Sequence, residues 1–193
     1  MKRLCLYCGS NSGRLPQYQQ AVKALVSEMV KRDIGVVYGG ARVGLMGVVA
    51  DTALALGGEV IGVIPEGLIT KEVAHQNLSQ LEIVKSMHER KARMVELSDG
   101  FIALPGGAGT MDELFEVYTW AQLGLHNKPC ALFDVDNYFA GIIEFLSRAT
   151  EDQFLRPAHH KMLLIDDHHE NLLNRMAHYE APVVKKWIGM DQA

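Results

Sequence analysis

Phe101-Ile102-Ala103-Leu104-Pro105-Gly106-Gly107-Ala108-Gly109-Thr110-Met111-Asp112-Glu113 opens as a short apolar run, turns through proline and glycine, and ends on acids that lead into an amphipathic segment. The pattern reads as a buried strand, a tight loop and a helix start. Three glycines in four positions remove side chains and open positive φ, so successive backbone N–H groups can converge on an anion at the start of the helix. Such a cradle suits the phosphate of a nucleotide. A purely structural reading stands beside it, because Thr110 and Glu113 have the spacing of a capping box. Asp112, Glu113 and Glu116 are together more acid than one helix start needs to satisfy its amides and dipole, which favours a functional loop.

Outward from this stretch, Leu4-Cys5-Leu6-Tyr7-Cys8, Ile34-Gly35-Val36-Val37-Tyr38, Val60-Ile61-Gly62-Val63-Ile64 and Ala131-Leu132-Phe133 are further short apolar runs that end on turn signals. Between the runs lie segments with helical spacing, roughly 17–32, 45–56, 87–97 and 111–124. Alternating strand and helix predicts an α/β fold, a Rossmann-like, doubly wound, mostly parallel sheet with helices on both faces. Ligands of such sheets bind outside the carboxyl ends of the strands, where the glycine-rich segments fall. Gly9 and Ser10 follow the first strand and Gly39 and Gly40 the second, so their loops are expected to share a crevice with the Pro105 loop. Gly39, Gly40, Gly44 and Gly47 lack the G-x-G-x-x-G spacing, so NAD is not expected. Tight turns and close helix packing account for several of these glycines.

The chain has 193 residues, 48% of them hydrophobic, with a formal charge of -4, enough to bury a sizeable core. A single domain over 1–193 is expected, with a C-terminal helical tail from about 156 that runs on past Pro182 and Trp187. No apolar run approaches the roughly 20 residues needed to span a bilayer, and Met1-Lys2-Arg3 leads into a strand-like run, so a cytoplasmic protein is expected, without membrane contact. The slightly acidic balance offers no broad footprint for nucleic acid. Three cysteines fit a reducing compartment. In a strand, Cys5 and Cys8 point to opposite faces, and no second pair completes a zinc site.

Ser86-Met87-His88-Glu89-Arg90-Lys91-Ala92-Arg93-Met94 carries a second capping box, Ser86 to Glu89, with Arg90 and Lys91 close behind it. Arg90 and Arg93 share a helical face. On spacing alone this is best read as a solvated helix with Met87 and Met94 on its core side. The helix directly precedes the Phe101 strand, however, and so can bring its basic residues near the Pro105 loop, where arginine suits forked contacts with phosphate.

Met87-His88-Glu89-Arg90-Lys91-Ala92, the Pro105 to Glu113 motif and Thr119-Trp120-Ala121-Gln122-Leu123-Gly124 together resemble the LOG (Lonely Guy) family of cytokinin riboside 5'-monophosphate phosphoribohydrolases, many of which carry the older label possible lysine decarboxylase. Cys8-Gly9-Ser10, Val37-Tyr38-Gly39-Gly40, Gly44-Leu45-Met46-Gly47 and Gly62-Val63-Ile64-Pro65 extend the resemblance over roughly residues 3 to 157. It implies a Rossmann-like homodimer that hydrolyses the N-glycosidic bond of a nucleoside 5'-monophosphate, AMP or a prenylated AMP, to free purine base and ribose 5-phosphate. No metal or organic cofactor is implied. Catalytic roles fall by resemblance on Arg90 and Glu113. Substrate contacts fall on Glu72, Arg90, Lys91, Gly107, Ala108, Gly109, Thr110, Met111, Asp112, Glu113 and Thr119. Glu116, one turn beyond Glu113, is a further candidate for the ribose. Arg90 suits either the 5'-phosphate or the charge on the departing base. Met111-Asp112 stands where Leu-Glu is common, and Ala108 holds a position often occupied by Tyr.

Other chemistries are less well served. A pyridoxal-dependent decarboxylase needs a Schiff-base lysine, and Ala158-His159-His160-Lys161 has Ala where such enzymes have Ser. His159, His160, His168 and His169 are expected at the surface or an interface, with no metal geometry. A noncatalytic nucleotide-binding module would use the glycine cradle without requiring both Arg90 and Glu113.

Overall fold

The computed structural model describes residues 1–69 and 74–182. In chain order the elements are β1 (Arg3–Tyr7), α1 (Pro16–Lys31), β2 (Gly35–Tyr38), α2 (Gly44–Ala55), β3 (Val60–Pro65), α3 (Glu66–Ile69), β4 (Gln80–Val84), α4 (Met87–Leu97), β5 (Phe101–Ala103), α5 (Ala108–Gln122), β6 (Cys130–Phe133), α6 (Ala140–Glu151), α7 (Pro157–His160), β7 (Leu163–Asp166) and α8 (His169–Ala177). The strands form one parallel sheet in the order β4-β3-β2-β1-β5-β6-β7. From β1 the chain winds outward through β2, β3 and β4, then returns to the other side of β1 for β5. The order therefore reverses between β1 and β5, and the loops after these two strands diverge to leave a crevice. This is the expected α/β, doubly wound Rossmann-like arrangement.

Period-two alternation along β1 divides the core. Leu4, Leu6 and Cys8 pack with α1, α2 and α8 on one face, while Cys5 and Tyr7 pack with α4, α5 and α6 on the other. Cys5 and Cys8 thus lie on opposite faces, as the strand period requires. Helix starts follow local chemistry. Pro16 opens α1. Ser86 caps α4, its hydroxyl accepting the Glu89 N–H at 3.1 Å while the Glu89 carboxylate accepts the Lys85 N–H at 2.8 Å.

Four readings need correction. β4 and β7 were not expected as strands. β4 is an edge strand with a half-exposed Gln-Leu-Glu-Ile-Val sequence, and it is pinned by Arg93, whose Nε and Nη2 donate to Glu82 at 2.6 and 3.0 Å. The segment after 156 is more than a helical tail, since it supplies β7 and then α8, whose Leu172, Leu173 and Met176 enter the same core as Leu4 and Val22. Trp187 lies outside the described residues. α5 begins three residues before 111, with Gly107 as N-cap, so Thr110 and Glu113 sit inside the helix and form no capping box. His159 is buried instead of at the surface, its carbonyl accepting the Tyr118 hydroxyl at 2.9 Å, while His168 and His169 stack at 5.0 Å.

Because Leu173 is wholly buried, Leu173→Ala is expected to cost about 2–5 kcal/mol in urea denaturation. A loss below about 0.5 kcal/mol would mean that α8 only rests on the surface.

Candidate functional site

A cleft of about 320 Å³ opens at the carboxyl end of the sheet, at the β1/β5 reversal. Cys8, Gly9 and Ser10 line it from the loop after β1, Gly39 from the end of β2, Met46 from α2, Met87 and Arg90 from α4, and Gly107 to Thr110 with Asp112 and Glu113 from α5. The three glycine loops expected to converge do so.

In the loop before α5, three successive carbonyls have donors. The Pro105 oxygen accepts the Gly9 N–H at 3.1 Å, the Gly106 oxygen the Tyr138 hydroxyl at 2.6 Å, and the Gly107 oxygen the Met111 N–H at 3.2 Å. The amides of Gly107, Ala108, Gly109 and Thr110 make no such bond among the described residues. They are the free donors of a helix start, and all four residues line the cleft. The glycines divide by role. A Cβ on Gly106 would stand 2.1 Å from Thr110 Oγ1 and 2.8 Å from the Gly9 nitrogen, so folding itself demands this glycine. A Cβ on Gly107 or Gly109 would meet nothing within 4 Å. Neither has positive φ, contrary to the expectation for this loop; that conformation occurs instead at Gly40 and Gly44, with φ of +76° and +57°. Gly107 and Gly109 therefore leave open space over the free amides, which a ligand can enter.

Beside the amides lies a buried ion pair, Arg90 Nη1 to Glu113 Oε1 at 3.0 Å, with both residues about 9% exposed. Arg90 Nε donates to the Val63 carbonyl at 3.1 Å, which fixes the guanidinium against the end of β3. Gly39 makes room for it, because a Cβ there would lie 2.1 Å from Arg90 Nη2. The solvated-face reading of α4 thus fails for Arg90 and holds for Arg93, which bridges Glu82 and Glu96. Burial pushes the Glu113 carboxyl above its ordinary value; Arg90 opposes this shift and Asp112 adds to it. A second ionic layer sits alongside, with Lys91 Nζ 3.0 Å from Glu116 and 3.3 Å from Asp112. Although burial disfavours the Lys91 cation, these two carboxylates raise it above its usual range, so Lys91 stays charged.

Of the residues singled out in the sequence, Gly9, Ser10, Gly39, Arg90, Gly107, Ala108, Gly109, Thr110, Asp112 and Glu113 meet at the cleft. Lys91 and Glu116 stand behind it in the second ionic layer, and the second oxygen of Glu116 is buried without a hydrogen-bond partner among the described residues. Met111 packs against the apolar core, Thr119 is exposed on α5 away from the cleft, and the Gly40 carbonyl accepts the His75 N–H at 2.9 Å. Glu72 lies outside the described residues. Leu6, Cys8, Met46 and Met87 line the cleft without having been singled out for it. Met87, read as core, is half-exposed at the rim, whereas Met94 is buried as expected. No sequence signal set Met87 apart, because its place at the rim follows from the burial of Arg90 one turn later.

A family model described as "Possible lysine decarboxylase" matches residues 46–176. The cytokinin riboside 5'-monophosphate phosphoribohydrolase LOG7 of Arabidopsis thaliana is 42% identical over 179 residues, which is 93% of this chain and 82% of that protein. The probable cytokinin riboside 5'-monophosphate phosphoribohydrolase LOGL9 of Oryza sativa subsp. japonica is 43% identical over 178 residues, 92% of this chain and 78% of its own. Among solved structures, the molybdenum cofactor binding protein from Rippkaea orientalis superimposes with a TM-score of 0.68 at 18% identity, covering 92% of this chain and 96% of that one. The Moco carrier protein from Chlamydomonas reinhardtii gives 0.64 at 14% identity, over 90% and 98%. At such identities these two likenesses show the fold alone. The extent of the family match and the identity to the plant proteins lead to one assignment: this chain belongs to the LOG family, the group that the possible lysine decarboxylase description covers.

Proposed function

We propose that the protein hydrolyses the N-glycosidic bond of a cytokinin nucleoside 5'-monophosphate, releasing a free purine base and ribose 5-phosphate. The observation that carries this reading is the buried Arg90–Glu113 pair, 3.0 Å apart and adjacent to the free amides at the start of α5. An anion site and a carboxylate side by side are what this substrate requires. The α5 amides hold the 5'-phosphate, and the ribose then lies over Glu113. As the bond from C1' to the base nitrogen breaks, its electron pair leaves with the base and positive charge grows on the sugar, which the Glu113 carboxylate stabilises. Glu113 takes a proton from the water that adds to C1' and then gives it to the departing base nitrogen, which restores the carboxylate. Arg90 holds Glu113 in place through Nη1 and limits the charge that gathers around the departing base. Two of its donors are already engaged by Glu113 and Val63, which favours this role over phosphate binding.

The decarboxylase description fits the side chains poorly. No lysine lines the cleft among the described residues. Lys91 is kept cationic by two carboxylates, and a Schiff base needs a neutral amine. Lys161 is exposed just before β7, at the amino end of an edge strand, whereas the cleft lies at the carboxyl end of the sheet. Among the described residues, pyridoxal phosphate therefore has no amine to join in this cleft. No described helix is long and apolar enough to cross a membrane, and the three cysteines are buried as free thiols, which suits a cytoplasmic protein. A homodimer is the proposed assembly, supported by the exposed Phe145 and the 90% exposed Phe154, which offer apolar surface to cover.

Glu113→Gln is expected to lower base release from AMP or isopentenyladenosine monophosphate by about 10²- to 10⁴-fold with an unchanged circular dichroism spectrum; full turnover would remove Glu113 from the chemistry and leave a binding module. Gly39→Ala, which drives the Arg90 guanidinium from its seat, is expected to reduce kcat/KM roughly 100-fold without loss of fold. With Glu113 acting as the ionised base, kcat/KM should rise as pH climbs through a carboxyl value above the ordinary glutamate range. Asp112→Asn removes a charge that raises this value, so in pH–rate profiles the acid limb of that variant should move to lower pH.

A further inference from the structure

On the far side of the Gly107 loop lies a second cleft of about 240 Å³, which shares Gly9, Ser10 and Gly107 with the first and is walled by Tyr18 and Tyr138. The Tyr138 hydroxyl donates to the Gly106 carbonyl at 2.6 Å. In a trans peptide the C=O and the N–H of the same unit point in opposite directions. Holding the Gly106 oxygen toward Tyr138 therefore turns the Gly107 N–H away from it, toward the cleft that contains Arg90 and Glu113.

Tyr138 is itself firmly placed. Its ring meets Tyr18 edge-on at 5.6 Å and Phe139 at 5.0 Å. The loop that carries it is shaped by Asp136 and Asn137, both with φ of +57°, which side chains other than glycine adopt at a cost. Asp134 accepts the Phe139 N–H at 2.7 Å, and Gln17 donates to Asp136 at 3.0 Å. The other two carbonyls of the triplet are bound by backbone amides, so the Gly106 carbonyl is the one whose direction depends on a single side-chain atom.

We propose that Tyr138 is a positioning residue for phosphate recognition, acting through the Gly106–Gly107 peptide and not by touching the substrate. The proposal rests on the anion role of the α5 amides in the function proposed above. Its test is Tyr138→Phe, which removes one oxygen and keeps the ring contacts. Calorimetric titration of the full-length protein with ribose 5-phosphate should show about fivefold weaker binding in the variant. Adenosine, which lacks the phosphate, should bind both proteins equally, and the melting temperature should change by less than about 2 °C. In turnover assays KM for the monophosphate should rise by the same factor while kcat is retained.

Equal affinity of both proteins for ribose 5-phosphate would overturn the proposal, as would a parallel loss of adenosine binding or no binding of ribose 5-phosphate to either. If the wild type binds ribose 5-phosphate more tightly than the variant yet releases no base from any nucleotide, the hydrolase reading fails and the role of Tyr138 stands.

Discussion

Most of the site's architecture follows from the cost of burying one ion pair. Removing a guanidinium and a carboxylate from water is repaid only when both are well placed and their remaining hydrogen-bonding groups find partners. Here Arg90 is held at two points, by Val63 at the end of β3 and by Glu113 on α5. This pair ties the two central helices of one face together across the cleft. Lys91 with Asp112 and Glu116 adds a more exposed layer between the same helices. The position of α4 is set in turn by the Ser86 cap at its start and by Lys128, whose Nζ donates to the Val95 carbonyl at 2.7 Å near its end. The glycine at residue 39 and the strand order that leaves β1 and β5 adjacent are both conditions for this arrangement.

The glycines separate into two physical classes that sequence spacing cannot distinguish. Gly39, Gly44, Gly47 and Gly106 are required by close approach, since an added Cβ would stand between 2.1 and 2.4 Å from a neighbouring atom. Gly107 and Gly109 are under no such constraint. A bare backbone at a helix start that neither packing nor dihedral angle requires is open to a ligand, and these two glycines border the ion pair. The cleft thus juxtaposes donors fixed by the backbone with a carboxylate whose proton affinity is raised by burial.

The central strands were legible because each is a short apolar run buried on both faces and followed by a turn signal, and the segments between them were long enough to read as helices. The edge strands were not. Gln80–Val84 carries glutamate and an exposed isoleucine and pairs on one side only, while Leu163–Asp166 is mostly half-buried, ends on an acid and pairs on one side only. At the site, residue types were readable and environments were not. Arg90 and Arg93 lie three positions apart on neighbouring parts of one helical face, yet one is buried against β3 and the other bridges surface acids; that difference depends on β3 and β4, to which the local pattern of α4 makes no reference. Thr110 and Glu113 had the right spacing for a cap, but the helix starts earlier, where Gly107 allows the backbone to turn without a side-chain acceptor. Tyr138 lies far from the glycine motif in sequence, and no local signal connects the two.

The place of α8 also bears on how the chain is made. Leu172, Leu173 and Met176 close the face formed by Leu4, Leu6 and Val22, and Arg32 Nη1 donates to Asn174 at 2.7 Å across most of the chain length. During synthesis, α2 can cover part of the apolar face of β1 and α1, but the rest stays open until α8 has left the ribosome. Completion of the core is therefore a late, long-range event, and the nascent chain is open to aggregation until α8 docks.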